Sequence, residues 1–408
     1  MANESALAAP PVDEPIIRAT GVVPSALDQS HLEDGLALCL SGGGYRATVF
    51  HVGALWRLNE LAQLPQLRRI SSVSGGSITA ATLGLNWGQL QFQENGIATL
   101  ASFVQALVTP ICEMTSHTID LPAVGLGILS PFSTIGEEIA SAYEKHLFGH
   151  KTLQDLPHDG DSESGVKGPR FVINATNVKT GSLFRFSRPY MADYRVGLVK
   201  NPRIPLATVV AASSAFPPFL SPTKLNLAGY QFEPGAPAVG ETVDSSLRRE
   251  AILTDGGVYD NLGLETVWKR YKQVLVSDGG RKMSDDLDPA TDWGRHSYRL
   301  IELLQAQTSN LRRRQIIDAF ANAQSQHSGA YWGIQTELGR LSAPNSLPCG
   351  PARTRELAET PTRLAAMSPE IQQRLINWGY AICDSSVRTF FLKKAIAPTE
   401  FPYPDIGV

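Results

Sequence analysis

The chain has 408 residues, with 36 Lys and Arg against 39 Asp and Glu, which gives a formal net charge of −3. This near balance gives no reason to expect nucleic acid as the main partner, because nucleic-acid-binding proteins usually carry a clear basic excess. Apolar residues are 43% of the chain and charged residues 18%, a composition that excludes intrinsic disorder, a coiled coil and a collagen-like chain and allows a large buried core.

The cysteines and the N-terminal segment predict a protein of a reducing compartment. Cys39, Cys112, Cys349 and Cys383 are scattered and form no CxxC pair, so neither a disulfide framework nor a thiolate metal site is expected. The first residues lack the basic and apolar segments of a secretory signal, and no run of 18 apolar residues would span a membrane. We expect a soluble, cytoplasmic protein.

The first part of the chain predicts a layered α/β fold. Residues 1–34 are rich in Ala and Pro without a sustained period, and we interpret them as an N-terminal extension. The apolar run 36–41 predicts a buried strand, 47–64 a helix, 68–74 a second strand and 75–85 a second helix. This alternation is typical of a mainly parallel sheet that helices cover on both faces, a three-layer α/β/α arrangement.

The remaining elements extend the same architecture. Residues 97–148 have a mostly helical pattern, interrupted by the apolar segment 119–132. A small-residue helix is predicted at 205–215. Further strands are predicted by short apolar runs at 171–178, 182–187, 251–255 and 273–278. From about residue 295 the pattern is helical, so we predict an extension over 1–34, a core domain over 35–295 and a helical C-terminal region over 296–408 packed on the core domain.

The first chemical motif is a glycine-rich loop, Gly42-Gly43-Gly44-Tyr45-Arg46, between the first strand and the first helix. Its glycines let the backbone approach a ligand and point N–H groups at it, and the helix adds its positive N-terminal end. Such a loop binds an anion or forms a tight turn. A dinucleotide-binding loop is disfavoured because the second strand ends without an acidic residue, and a P-loop because no Gly-Lys-Ser/Thr occurs.

The second motif, Ser72-Val73-Ser74-Gly75-Gly76, also lies between a strand and a helix. It fits a nucleophile elbow, in which small neighbours allow a strained turn that exposes the serine, although the usual leading glycine is Ser72 here. Adjacent parallel strands end at the same edge of a sheet. The amides of Gly43 and Gly44 are therefore expected to face the carbonyl group that Ser74 attacks, as an oxyanion hole.

A serine nucleophile needs a base, and the sequence leaves several candidates. Only His296 and His327 follow residue 158, both in the helical region without a surrounding motif, and His51 is expected to pack inside the first helix. Asp255 and Asp278 each begin an Asp-Gly-Gly sequence after a buried strand, so either carboxylate could act directly on serine. A capping or turn role is the alternative for both aspartates.

Five motifs in order along about residues 36–280 resemble those of the patatin-like phospholipase family. They are the glycine loop, the elbow at Ser74, Asn174-Ala175-Thr176-Asn177 through Phe186, the segment from Ala211 to Pro218, and Thr254-Asp255-Gly256-Gly257-Val258-Tyr259-Asp260-Asn261. The elbow is also similar to that of the related cytosolic phospholipase A2 enzymes.

This resemblance implies a patatin-like fold and a Ser–Asp dyad, with Ser74 as nucleophile, Asp255 as base, and no metal or other cofactor. Because the family's motif continues into Val-Tyr-Asp-Asn, Asp278 becomes a structural residue. The implied oxyanion site comprises Gly42, Gly43, Gly44 and Arg46, and the implied supporting turns contain Gly76, Gly256 and Gly257. An ion pair at the helix start is the alternative for Arg46.

The resemblance also implies acyl esters of phospholipids or lysophospholipids as substrates, and a peripheral membrane surface as the place of action. Segment 119–132 could cap an acyl pocket or be a buried irregular stretch. Residues 312–314, three arginines, could bind anionic head groups, although a solvated helix face is favoured.

Three other functions stay open at this stage. One is a soluble carboxylesterase or thioesterase on the same dyad. Another is a membrane-damaging effector switched on by an unknown activator, for which residues 1–34 and the region after 295 leave room. A catalytically silent lipid- or nucleotide-binding module is disfavoured by the intact motifs at Ser74 and Asp255.

Overall fold

The computed structural model describes residues 32–120, 134–160, 165–233 and 244–408. Its strands are β1 Glu33–Leu40, β2 Leu67–Val73, β3 Arg170–Asn177, β4 Ser182–Phe186, β5 Tyr190–Asp193, β6 Gly197–Lys200, β7 Thr223–Asn226, β8 Glu250–Asp255, β9 Tyr271–Asp278 and β10 Ser328–Gly333. Its helices are α1 Gly44–Glu60, α2 Gly75–Leu85, α3 Leu100–Phe103, α4 Thr109–Thr115, α5 Ile135–Tyr143, α6 Leu206–Ser213, α7 Gly257–Asp260, α8 Glu265–Trp268, α9 Trp293–Ala321, α10 Pro351–Glu359 and α11 Pro369–Phe390.

The strands form one sheet whose centre is parallel. Strands β10, β9, β1, β2 and β3 lie in that order and pair in parallel. Beyond β3 the sheet continues as an antiparallel meander through β4, β5 and β6. Strand β8 pairs antiparallel with both β3 and β7. The predicted parallel core is confirmed, and the antiparallel part is an addition.

The central strands are buried on both faces, as shown by the alternating side chains of β1. Leu36, Leu38 and Leu40 belong to the large hydrophobic cluster that includes residues of α1, α2 and α11. Ala37 and Cys39 point to the other face and pack in a second cluster with residues of α8 and α9. Since a strand turns successive side chains to opposite faces, this split places helices on both sides of the sheet. The predicted three-layer α/β/α fold is confirmed.

The C-terminal region is mainly helical, as predicted, and it also contributes an edge strand, which the helical pattern did not indicate. Strand β10 pairs in parallel with β9. Helix α11 packs along α1, where the buried carboxylate of Asp384 accepts hydrogen bonds from Arg57 and Arg388. At the other end of the chain, β1 begins at Glu33, two residues inside the predicted extension. Within the described ranges, no helix is long and apolar enough to cross a membrane.

Candidate active site

The two strands that carry the dyad candidates meet end to end along one edge of β3. Strand β2 runs parallel to β3, and its last residue, Val73, pairs with Asn174. Strand β8 runs antiparallel to β3 and ends at Asp255, which pairs with Ala175, the next residue of β3. The C-terminal ends of β2 and β8 therefore converge, so that Ser74 and Asp255 become neighbours although they are far apart in sequence.

Ser74 lies on a strained turn between β2 and α2. Its backbone angles are φ 52° and ψ −122°, a positive φ that non-glycine residues rarely adopt. The backbone N–H of Ser74 donates to Oγ of Ser213 at 2.9 Å, and that hydroxyl donates to the carbonyl of Asn174 at 2.7 Å. This relay from α6 to β3 holds the turn in place. Ser74 is the N-cap residue of α2, the position that a nucleophile elbow gives its serine.

The carboxylate of Asp255 is only 2% exposed, and its interaction with the hydroxyl of Ser74 is one of the effects that lower its pKa. The N–H of Gly257 donates to Oδ1 of Asp255 at 2.7 Å. Burial raises the pKa of Asp255 to about 7, although the bond from Gly257 and the interaction with Ser74 act in the opposite direction. A carboxylate with such a pKa, beside a serine hydroxyl, is suited to take up a proton near neutral pH.

The glycine loop lies beside the elbow. A side-chain carbon added to Gly75 would lie 2.2 Å from the carbonyl oxygen of Gly44, and the N–H of Gly76 donates to the carbonyl of Ser41 at 3.1 Å. Gly43 and Gly44 have φ values of 149° and 61°, which side chains disfavour. The sequence requires glycine here because the two turns touch through their backbones.

The N–H groups of the loop differ in what they contact. The N–H of Gly42 donates to the carbonyl of Asn261 at 3.1 Å, so it is already engaged. In the part of the chain that the structure describes, the N–H groups of Gly43 and Gly44 have no acceptor. An oxyanion site in this loop therefore depends on Gly43 and Gly44, and the expected contribution of Gly42 is corrected.

Arg46 does not point its charge at Ser74. Its guanidinium is fully buried and donates to the carbonyl of Gly279 through Nε and Nη2, each at 3.1 Å, and to the carbonyl of Thr360. Burial lowers the pKa of Arg46 to about 10. Both expectations for Arg46, an oxyanion contact and an ion pair, give way to a structural role, because its donors already bond these carbonyls.

The histidines occupy other environments. His51 is buried, with Nε2 at 2.9 Å from the carbonyl of Ser41 and Nδ1 at 2.8 Å from Oγ of Ser277, and burial lowers its pKa to about 4. His327 stacks on Trp268 near the start of β9, far from the elbow, and His296 is exposed on α9. Among the described residues, no histidine hydrogen-bonds to Ser74 or Asp255.

Asp278 has a structural environment, in agreement with the role that the resemblance implies. Its carboxylate accepts hydrogen bonds from Nε of Arg313 and from the hydroxyl of Tyr331, both at 2.8 Å, and from the N–H of Gly280 at 2.9 Å. Burial acts to raise its pKa, but the ion pair with Arg313 and these bonds hold the pKa below the usual value. The group is a stable anion that ties α9 to the sheet.

The same ion pairs correct the interpretation of the three arginines. Arg312 bonds Glu265 at 2.6 Å and Arg313 bonds Asp278, so neither is free for head groups, nor do they form a solvated face. Arg314 alone of the three is exposed. Segment 119–132, the candidate acyl cap, lies outside the described residues except for Ile119 and Asp120.

Sequence reasoning missed three residues that support the site. Ser213 accepts the N–H of Ser74, Asn261 accepts the N–H of Gly42, and the carbonyl of Arg363 accepts the N–H of Tyr45 at 3.0 Å. Ser213 and Asn261 lie inside motifs that carry the family resemblance, so the resemblance could have pointed to them. Arg363 has no such signal, because its contribution comes from the backbone.

The sequence of the chain matches the model of the patatin-like phospholipase family over residues 38–268. The match covers more than half of the chain and contains the glycine loop, Ser74 and Asp255. The chain therefore belongs to the patatin-like phospholipase family, a family of lipid acyl hydrolases. No curated protein sequence matches it.

Solved structures of low identity resemble the chain. Human GIVD cytosolic phospholipase A2, in complex with methyl gamma-linolenyl fluorophosphonate, is 14% identical with a TM-score of 0.46; the match covers 88% of this chain and 58% of the human one. VipD from Legionella pneumophila is 13% identical with a TM-score of 0.34, covering 86% and 66%. The type III effector ExoU of Pseudomonas aeruginosa is 13% identical with a TM-score of 0.32, covering 87% and 52%. This chain thus spans less than two thirds of the human enzyme's length.

Proposed function

We propose that the chain hydrolyses acyl ester bonds of phospholipids or lysophospholipids through an acyl-enzyme on Ser74, with Asp255 as general base. The observation that carries the proposal is the convergence of the elbow serine and a buried carboxylate of raised pKa at the ends of β2 and β8, beside a glycine loop. Family membership supports the lipid substrate class.

In the first half of the reaction, Asp255 takes the proton of Ser74 as Oγ attacks the ester carbonyl. The negative charge that develops on the carbonyl oxygen is held by the N–H groups of Gly43 and Gly44, assisted by the N-terminal end of α2, which begins at Gly75. Collapse of the intermediate breaks the ester bond, and the leaving alcohol takes the proton from Asp255.

In the second half, Asp255 takes a proton from water as the water oxygen attacks the acyl carbon of the Ser74 ester. Breakdown of the second intermediate releases the fatty acid and returns the proton to Oγ of Ser74. No histidine is needed, because the carboxylate itself lies beside the nucleophile and takes its proton. Losing one N–H donor of an oxyanion hole typically costs about 100–1000-fold in rate, so the geometry of the loop matters as much as the dyad.

The decisive experiment is labelling with a fluorophosphonate followed by peptide mapping. We expect a covalent adduct on Ser74, no adduct in Ser74→Ala, and greatly slowed labelling in Asp255→Asn. The matched control is His296→Ala, which should label like the wild type. Full activity of Asp255→Asn, or loss of labelling in His296→Ala, would rule out the dyad.

The substrate class is tested separately with phospholipid, lysophospholipid, thioester and short-chain ester substrates. We expect the highest kcat/KM on aggregated phospholipid or lysophospholipid. Preference for dispersed short esters or thioesters would favour a soluble esterase instead.

The proposed place of action is the cytoplasm, at a membrane surface. An increase in activity on adding a protein cofactor would favour an effector that needs an activator.

A further inference from the structure

Two side-chain amides converge on the carboxylate of Asp255 from different parts of the chain. A side-chain carbon added to Gly257 would lie 2.9 Å from Oδ1 of Asp255. The same point lies 2.5 Å from Oδ1 of Asn261 and 2.8 Å from Nε2 of Gln305. These separations are in the range of hydrogen bonds, so three polar atoms surround one small space beside the proposed base. We call Asn261 and Gln305 the amide pair.

The amide pair also lies close to the nucleophile. A side-chain carbon added to Gly42 would lie 2.5 Å from Oδ1 of Asn261 and 3.0 Å from Cβ of Ser74. The same oxygen of Asn261 thus borders both the turn after Asp255 and the glycine loop in front of Ser74. The space between these atoms is where an acyl group on Ser74 and the base have to meet.

Helix α9 is fixed so that Gln305 faces this space. The buried residues of α9 are Ser309 and Ile316, four and eleven positions after Gln305, so the three side chains lie on one face of the helix. The ion pair of Arg313 with the buried Asp278 holds the helix on the sheet. The side chain of Gln305 is therefore delivered to the site by a packed element and not by a loop.

The side chains of the amide pair are half-buried and bond nothing else in the described ranges of the chain. The backbone carbonyl of Asn261 accepts the N–H of Gly42, but its side-chain amide has no such partner. Buried polar groups are normally hydrogen-bonded, so two unpaired amides beside a base indicate a polar molecule that they bind during the reaction.

The second half of the proposed reaction identifies that molecule as water. Asp255 has to take a proton from a water molecule whose oxygen attacks the acyl carbon on Ser74. An ordered water typically makes about three hydrogen bonds, and the carboxylate supplies only one. Oδ1 of Asn261 can accept the second hydrogen of the water, and Nε2 of Gln305 can donate to its oxygen. One lone pair then remains, and it is free to attack the ester.

We propose that Asn261 and Gln305 position the water molecule that hydrolyses the acyl-enzyme. In this step an O–H bond of water breaks and its proton passes to Asp255, while the water oxygen bonds the acyl carbon. The bond from that carbon to Oγ of Ser74 then breaks, and Oγ recovers the proton. The inference rests on the proposed function and assigns two catalytic residues to its second half. One of them, Gln305, lies outside the family match.

The test separates the two halves of the reaction by stopped-flow kinetics with a p-nitrophenyl acyl ester, whose leaving group makes acylation fast. We expect Gln305→Ala to form the acyl-enzyme at the wild-type rate, seen as a burst of nitrophenolate, and to hydrolyse it about tenfold more slowly because the water is less well placed. Asn261→Ala should also slow hydrolysis. Mass spectrometry of acid-quenched samples should show acylated Ser74 accumulating in both variants.

The matched control is Gln307→Ala, because Gln307 is an exposed residue of the same helix, and both of its rates should equal those of the wild type. Fluorophosphonate labelling, which reports attack by Ser74 alone, should keep its rate in Gln305→Ala, whereas a merely structural role would slow labelling and hydrolysis together.

Hydrolysis of the acyl-enzyme at the wild-type rate in Gln305→Ala, or an equal fall of both rates, would overturn the proposal while leaving the dyad intact. A wild-type protein that forms no adduct on Ser74 would refute the proposed function itself, so the two failures are distinguished.

Discussion

Two aspartates that share the sequence Asp-Gly-Gly have opposite electrostatics in the fold. Asp255 is buried and accepts a hydrogen bond from the N–H of Gly257, and burial raises its pKa to about 7. Asp278 is equally buried, but the ion pair with Arg313 keeps its pKa below the usual value. The neighbours of each carboxylate, and not the local sequence, decide which aspartate can take a proton.

The raised pKa of Asp255 predicts the pH dependence of hydrolysis. Because only the ionised carboxylate can accept the proton of Ser74, kcat/KM should rise with pH through a midpoint near 7. At pH 5 the rate should be about 100-fold below its plateau, because the pKa of Asp255 lies about two units above the assay pH. The measurement is a pH profile with an ester that does not ionise; a flat profile down to pH 5 would contradict the assignment.

Asp255→Asn should inactivate the protein and stabilise it at high pH. The folded pKa of about 7 exceeds the unfolded value of 3.8, so stability falls as pH rises between these values. Removing the charge should therefore raise the free energy of unfolding at pH 8 by up to about 4 kcal/mol and have little effect at pH 4. Urea unfolding at both pH values checks this.

The companion variant Asp278→Asn should have the opposite effect and lower the free energy of unfolding at pH 8. Its pKa is depressed in the folded state, so the stability it contributes is present above pH 4 and lost in acid. Breaking the buried pair with Arg313 should cost about 3–5 kcal/mol at pH 8. A gain in stability for Asp278→Asn would show that the environments of the two aspartates are misassigned.

At the scale of elements, the elbow depends on the short helix α6. Ser213 on α6 accepts the N–H of Ser74, and its hydroxyl also lies 2.9 Å from that of Ser77 on α2. The strained turn is thus held by a neighbouring helix and not by its own sequence alone. This makes Ser213 a positioning residue, since it does not touch the reacting atoms.

We predict that Ser213→Ala lowers kcat by about 10–100-fold with little change in KM, because the turn loses the acceptor that orients it. The buried N–H left without a partner should also cost about 1–3 kcal/mol of stability. Ser214→Ala is the matched control; the hydroxyl of Ser214 bonds Val210 and Tyr143, so kcat should stay near the wild-type value. Equal kcat values for the two variants would remove Ser213 from this role.

The elements near the N-terminus could be predicted from sequence because strand, glycine turn and helix follow one another locally. The runs at 36–41 and 68–74 became β1 and β2, and the glycine turns lie at their ends. The direction of β8 could not be predicted, since a buried apolar run has the same pattern in parallel and antiparallel pairing. That direction is what brings Asp255 to Ser74. Strand β10 was missed because helical segments surround it.

At the scale of the whole molecule, the part of the chain that matches the family model is completed by residues beyond it. Strand β10 forms an edge of the sheet, and Trp378 of α11 donates to the carbonyl of Ile334 at 2.8 Å. The buried carboxylate of Asp384 bonds Arg57 of α1. We therefore propose that residues 35–295 and 296–408 fold as one cooperative unit.

This proposal predicts that a chain ending at residue 340 is unfolded and inactive. Losing α11 would expose the apolar face of α1 and leave Arg57 without its buried partner, whereas a domain is usually stabilised by only about 5–15 kcal/mol. Circular dichroism and fluorophosphonate labelling of the truncated chain would check it. A folded, labelled fragment would show that the C-terminal region is a separate accessory unit.

The contacts of the glycine loop with the far end of the chain affect when activity can arise during synthesis. The N–H of Tyr45 and the guanidinium of Arg46 bond the carbonyls of Arg363 and Thr360. A nascent chain still held at the ribosome has Ser74 and Asp255 long before these partners emerge. The glycine loop therefore gains these two contacts only after the chain has been synthesised beyond Arg363.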